Sequence, residues 1–105
     1  MTKKTTPETR VAKALLKRKT PLTREALCKL TGLDARHSRE VIERLRRQGL
    51  PIVTRYDVAG YWIAKDDGEL DEYLKRSARR INSEMKTNRA MKMDKIEEMR
   101  EVFNV

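Results

Sequence analysis

Glycine and proline divide the first half of this chain into short segments. Pro7 follows Thr6, an order that is typical of a helix start. Pro21 cannot continue that helix, and Gly32 stands where a left-handed cap would end the next one. Gly49 stands at the end of a third. The predicted helices are residues 7–18, the segment between Thr23 and Gly32, and residues 35–48.

Apolar residues recur at the helical period in the second and third segments, which predicts one buried face on each helix. In the second helix the residues expected to face inward are Ala26, Leu27 and Leu30. In the third helix, capped by Asp34, they are Ser38, Val41, Ile42 and Leu45. At about 100° per residue, the arginines of the third helix fall opposite or beside that stripe. The expected buried face is therefore free of charge.

After Gly49 the chain becomes rich in β-branched and aromatic residues. The runs at 50–55 and 61–64 are typical of strands, and residues 56–60, which end in Gly60, predict a five-residue hairpin loop. Together with the helices, this hairpin predicts a mainly α chain with a small β-hairpin, an α+β fold.

A long helix is expected beyond residue 66. Asp66 and Glu69 have the spacing of a capping box, and an apolar stripe follows from about residue 68. The stripe comprises Leu70, Tyr73, Leu74, Ala78, Ile81 and Met85. It fails over residues 86–92, which predicts a frayed or hinged segment. The predicted organisation is a domain at 6–65, a C-terminal helix at 66–92 for packing or dimerisation, and a tail at 93–105 that is partly disordered or a short amphipathic helix.

The charge of the chain is large and unevenly distributed. Its formal net charge is +9, and residues 1–65 hold 16 Lys and Arg against 6 Asp and Glu, a net of +10. Such a surface predicts a polyanionic partner, with nucleic acid ahead of an anionic membrane.

No apolar run approaches the roughly 20 residues that span a bilayer. The single cysteine, Cys28, fits a reducing compartment, so we expect a cytoplasmic protein.

The order helix, helix, tight turn, helix, hairpin resembles the winged helix-turn-helix family. The residues that carry the resemblance are Gly32-Leu33-Asp34, Ile42, Leu45, Gly49-Leu50-Pro51-Ile52 and Gly60-Tyr61. They are similar to the small winged-helix modules of the biotin-operon-repressor type, which many small phage and bacterial regulators also resemble. The resemblance implies a nucleoid-associated protein, or one in the host cytoplasm if phage-encoded. The resemblance covers residues 10–65 and implies double-stranded DNA binding, with helix 35–48 in the major groove and the 53–62 hairpin as a wing.

This resemblance assigns expected roles to individual residues. Arg36 and Arg39 lie in the first turns of the third helix, where a guanidinium can pair with guanine. Glu40 can accept from a cytosine amine or pair along the helix with Arg36 or Arg44. The expected DNA-binding residues are Thr23, Arg24, Arg36, His37, Arg39, Glu40, Arg44, Arg47, Arg55 and Tyr56. The acids on this face leave the target sequence open.

Other functional classes find less support in the residues. The lone His37 and the lone Cys28 cannot form a specific catalytic or metal-binding constellation, so we expect no enzyme activity, no cofactor and no metal. The alternative function is a winged-helix protein–protein adaptor or loader that acts on the replication or transcription machinery. An RNA-binding module lacks exposed aromatic pairs for base stacking.

The C-terminal segments leave two partner questions open. The apolar stripe of the long helix is compatible with packing onto the first helix and with pairing between two copies, and we expect a homodimer through helix 68–86. Lys75, Arg76, Arg79 and Arg80 are candidates for further phosphate contacts. In the 93–105 tail, apolar residues at helical spacing predict a docking peptide for a protein partner or a frayed end.

Overall fold

The computed structural model describes residues 6–105. Its contacts group the chain into two units, one ending at Tyr73 and the other comprising Leu74–Val105. The elements are α1 (Pro7–Leu16), α2 (Arg24–Thr31), α3 (Ala35–Arg47), β1 (Ile52–Arg55), β2 (Val58–Ile63), α4 (Asp67–Ala90), a 3₁₀ turn (Met93–Lys95) and α5 (Ile96–Phe103). The predicted class, mainly α with a β-hairpin, is confirmed.

Each of the first three helices begins at a side-chain cap. The backbone N–H of Thr9 donates to Thr6 Oγ1 at 3.1 Å, and that of Ala26 donates to Thr23 Oγ1 at 3.2 Å. Asp34 caps α3 by accepting from the His37 N–H at 2.7 Å. Such caps satisfy backbone donors that have no partner within the helix. Because these hydrogen bonds join residues that are close in the chain, the sequence alone predicts where the three helices begin.

The core of the first unit lies between the three helices and the hairpin. Its buried apolar residues are Val11, Leu15, Leu22, Leu27, Val41, Ile42, Leu45, Ile52, Val53 and Trp62. Ser38 is buried with the predicted stripe of α3. The predicted inward position of Leu30 is wrong, because its side chain is 54% exposed. Thr31, four residues after Leu27 and on the same helix face, takes the inward position, and its Oγ1 donates to the Leu27 carbonyl at 2.7 Å.

The hairpin is tighter than the sequence predicts. Val53 pairs with Trp62 and Arg55 with Val58, so the turn contains only Tyr56 and Asp57. Residues 58–60, expected in a five-residue loop, belong to β2. The register shifts between Val53 and Arg55, and this irregularity takes up the residues that the longer loop would have held.

Gly60 lies within that irregular part of β2, at φ +110°. The strand there meets the segment between α1 and α2: Leu22 N–H donates to the Tyr61 carbonyl and Tyr61 N–H to the Leu22 carbonyl, both at 2.9 Å. A Cβ atom on Gly60 would lie 2.8 Å from both the carbonyl carbon and oxygen of Leu22. Glycine is therefore required for the hairpin to approach Leu22.

The start of α4 is bonded to the hairpin. Asp66 Oδ1 accepts from the Glu69 N–H at 2.8 Å, as the predicted capping box requires. The Glu69 carboxylate accepts from Lys65 N–H at 3.1 Å, not from Asp66, and also from Trp62 Nε1 at 2.7 Å. Glu69 thus satisfies the indole N–H of the buried tryptophan.

In the second unit, α4 continues through most of the segment where the sequence predicts fraying. Residues 86–90 are helical, so the predicted extent of the 86–92 interruption is wrong. Lys86, Thr87, Asn88 and Arg89 are polar, but none of them breaks a helix, and Thr87 Oγ1 even donates to the Ser83 carbonyl at 3.1 Å. The chain turns only after Ala90, where Lys92 is extended.

The apolar side chains of the second unit are exposed. On α4 these are Leu74, Ile81 and Met85, and no residue of this helix is buried. α5 exposes Ile96, Met99, Val102 and Phe103. The 93–105 tail is therefore largely an amphipathic helix, and its predicted role in binding a protein partner stays a prediction. None of the described helices combines the length and the hydropathy that crossing a membrane requires.

Candidate nucleic-acid interface

α3 separates its apolar residues from its arginines. Ser38, Val41, Ile42 and Leu45 are buried against the rest of the first unit, which includes contacts to α1, α2 and β1. Arg36, Arg39, Glu40, Arg44 and Arg47 are exposed. The helix is fixed by its buried stripe, so its cationic side chains are displayed on a rigid support.

The arginines of the exposed face differ in their partners. Arg36 Nε lies 3.4 Å from Glu40 Oε1, one turn away, and the Arg36 side chain is 85% exposed. Because water already competes for both groups of such an exposed pair, Arg36 can leave Glu40 and bind another anion at little cost. Among residues 6–105, the side chains of Arg39 and Arg47 have no hydrogen-bond or ion-pair partner. Arg36, Arg39 and Arg47 are thus the residues of α3 best able to contact an external anion.

Two other arginines of α3 bind within the first unit. Arg44 Nη1 lies 3.2 Å from Glu8 Oε1 on α1, so a phosphate contact by Arg44 competes with this pair. Arg46 is only partly exposed: its Nε donates to the Ile52 carbonyl at 2.9 Å and its guanidinium lies 5.2 Å from the Tyr73 ring centroid. Arg46 therefore joins α3 to β1, a structural role that the sequence does not indicate.

His37 is bound to the cap of its own helix. Its Nδ1 lies 2.9 Å from Asp34 Oδ1, and its backbone N–H donates to the same oxygen. The backbone hydrogen bond from His37, followed by the side-chain hydrogen bond from the same residue, lowers the pKa of Asp34 below its ordinary value of 3.8. Within the described chain, no group of three or more His, Cys, Asp or Glu is arranged to hold a metal ion.

The lowered pKa of Asp34 predicts a pH-dependent contribution to stability. Because the carboxylate is favoured in the folded state, its contribution is present above pH 3.8 and is lost as the pH falls through the lower pKa of the folded protein. Thermal unfolding from about pH 2 to about pH 6 should show a shallower pH dependence in Asp34→Asn than in the parent protein. Asp71→Asn, at an exposed position of α4, is the control; equal curves for parent and Asp34→Asn would contradict the prediction.

The hairpin tip and the start of α2 carry the remaining predicted residues. Tyr56 is 92% exposed in the two-residue turn. Arg55 Nε donates to Asp57 Oδ1 at 2.6 Å, and this hydrogen bond raises the pKa of Arg55 further above its ordinary value. Thr23 and Arg24 are exposed at the N-terminus of α2. Among residues 6–105, no hydrogen bond or ion pair joins Thr23 or Arg24 to the arginines of α3.

Comparison of the chain with protein-family models, with curated proteins and with solved structures found no match. The functional assignment must therefore come from the physical properties of the surface. Those properties are a rigid helix with three exposed arginines available for a ligand, an exposed hairpin tip, and an excess of positive charge in the same unit.

Proposed function

We propose that the first unit is a winged helix-turn-helix domain that binds double-stranded DNA, with α3 in the major groove. The observation that carries this proposal is the exposed face of α3, where Arg39 and Arg47 have no partner among residues 6–105 and Arg36 has only an exposed one. A helix of this width fits the major groove, and a guanidinium can form two hydrogen bonds with guanine there. Arg36 and Arg39, near the helix start, are proposed to contact bases.

Four of the other predicted residues, Arg24, Arg47, Arg55 and Tyr56, are proposed to contact the DNA backbone. Arg47 lies farther along α3, and Arg24 lies at the N-terminus of α2, where backbone N–H groups favour a phosphate oxygen. Tyr56 at the hairpin tip and Arg55 beside it would extend the contact as a wing. The protein would then be a small phage-type or bacterial regulator of transcription or replication, without catalysis of its own.

We also propose that two copies pair through α4. Leu74, Ala78, Ile81 and Met85 follow the alternating three- and four-residue spacing of a coiled-coil seam, and all four are exposed. Pairing would cover this stripe and would join two copies of α3 in one molecule. A dimer of this kind should bind sites with two-fold symmetry.

Salt dependence tests the proposed DNA contact. If about six phosphates are neutralised, the affinity for duplex DNA should fall by about three orders of magnitude between about 50 mM and about 200 mM salt. Fluorescence anisotropy with a labelled duplex measures this, and selection from random-sequence DNA then shows whether the bound sequences are two-fold symmetric. Absence of salt-sensitive binding below about 10 μM would exclude the proposal. A protein target that is retained after nuclease treatment would instead favour the adaptor function.

A further inference from the structure

A second cationic surface lies on α1, outside the DNA-binding face proposed above. A groove of about 680 Å³ is formed by residues of α1, by the segment that follows it, and by Leu30 of α2. Its cationic lining residues are Arg10, Lys13, Lys17, Arg18 and Lys19. Arg10, Lys13 and Lys17 have the i, i+3, i+7 spacing that places side chains on one face of a helix. The groove is thus formed by one face of α1 and by the turn that follows this helix.

The positive charge of this groove is not neutralised within the first unit. No acidic residue lines it, and none of its five cations forms an ion pair among residues 6–105. Arg10 is held in place by the hydrogen bond from its Nη1 to the Thr31 carbonyl at 2.7 Å, while its buried Nε has no hydrogen-bond partner there. On α3, by contrast, Arg36, Arg44 and Arg46 each have a carboxylate partner. The groove therefore attracts an external anion.

The apolar residues in the groove lining distinguish between classes of anionic ligand. Ala14 and the exposed Leu30 contribute apolar surface to this lining. A phosphate backbone would leave Leu30 exposed, and single-stranded nucleic acid binds on aromatic side chains, of which this lining contains none. An amphipathic peptide with carboxylates beside apolar anchors complements both features, because its anchors cover the apolar residues and its acids pair with the cations.

We propose that this groove binds an acidic amphipathic helix of a partner protein. Leu30 and Ala14 receive its apolar anchors, and Lys13, Lys17 and Lys19 pair with its carboxylates. This accounts for the exposed position of Leu30, which the apolar period of α2 predicts to be inside. The proposal does not depend on DNA binding, because the groove residues are separate from those assigned to the duplex.

The test uses a fluorescein-labelled synthetic helix of about fifteen residues, with leucines at i, i+4 and i+7 and glutamates at most other positions. Leu30→Ser should weaken its binding about tenfold, since it removes a leucine side chain from the contact. The double variant Lys13→Glu/Lys17→Glu should weaken it by about tenfold or more through charge reversal. Lys65→Glu, an exposed lysine outside the groove, should change it by less than about twofold. Circular dichroism of each variant checks that the fold is kept.

Two results would overturn the proposal. If polyglutamate of equal charge binds as tightly as the leucine-containing peptide, and Leu30→Ser has no effect, the groove attracts charge without recognising an apolar anchor. If Lys13→Glu/Lys17→Glu weakens duplex DNA binding as strongly as loss of Arg36 and Arg39 does, the groove is a nucleic-acid surface. Peptide binding that is lost in the groove variants while duplex binding persists supports the proposal, whether or not the α3 assignment holds.

Discussion

Changing Arg36 and Arg39 together to alanine is expected to weaken binding to a selected DNA site by about 100-fold, because each bidentate arginine–guanine pair contributes about 1–3 kcal/mol. Both side chains are exposed, and the buried stripe of α3 does not include them. The fold should therefore survive the double substitution. The affinity for unselected duplex DNA should fall less, since that binding depends on phosphate contacts.

The matched control removes the same charge from another surface. Lys17→Ala/Arg18→Ala also deletes two cations, but from the groove of α1. It should reduce DNA affinity by no more than about threefold, because it lowers only the overall positive charge of the protein. Anisotropy titrations of both double variants, on selected and unselected duplexes at one salt concentration, make the comparison. Equal losses in the two variants would mean that net charge, and not the face of α3, determines the binding.

The parts of the fold that the sequence predicts well depend on short-range interactions. The caps at Thr6, Thr23 and Asp34 each accept a backbone N–H from three residues ahead. Gly32 takes the left-handed conformation expected at the end of α2, with φ +76°. These interactions need no information about the rest of the molecule, so helix positions can be obtained from sequence.

The parts that the sequence predicts poorly depend on pairing between distant segments. The two-residue turn of the hairpin follows from the register of β1 and β2 and from the bonds between Leu22 and Tyr61, neither of which the loop composition encodes. Leu30 has an apolar side chain in phase with Leu27, yet only the packed arrangement shows that Thr31 takes the inward position. Periodicity indicates that a helix has a buried face, but with eight residues it leaves the edges of that face undetermined.

The candidate site likewise contains some features that the sequence predicts and others that depend on the packed structure. The segregation of Arg36, Arg39 and Arg47 from the apolar stripe can be read from the helical period, so their exposure was predictable. The anchoring of Arg46 to the Ile52 carbonyl was not, because it requires the position of β1 beside α3. The i, i+3, i+7 spacing of Arg10, Lys13 and Lys17 can be read from the sequence, but the contribution of Leu30 to the groove lining depends on how the helices pack.

Gly60→Ala is expected to lower the free energy of unfolding by about 3 kcal/mol, since it combines backbone strain with overpacking. At φ +110° an L-residue is strained, and the added Cβ would meet Leu22 backbone atoms at 2.8 Å. Backbone cannot move aside as a flexible side chain can. Relief of the clash would have to break the paired bonds between Leu22 and Tyr61, which join the hairpin to the segment between α1 and α2.

Gly49→Ala separates backbone strain from overpacking as causes of the lost stability. Gly49 has nearly the same φ, +107°, but no atom lies within 4 Å of the position of its added Cβ. Its substitution should cost only the backbone strain, about 1–2 kcal/mol. Urea unfolding followed by the fluorescence of Trp62, the only tryptophan of the chain, measures both variants. A larger loss for Gly60→Ala locates the excess in the contact with Leu22. Equal losses would mean that the hairpin can shift away from Leu22 without cost, and that this close contact does not hold it in place.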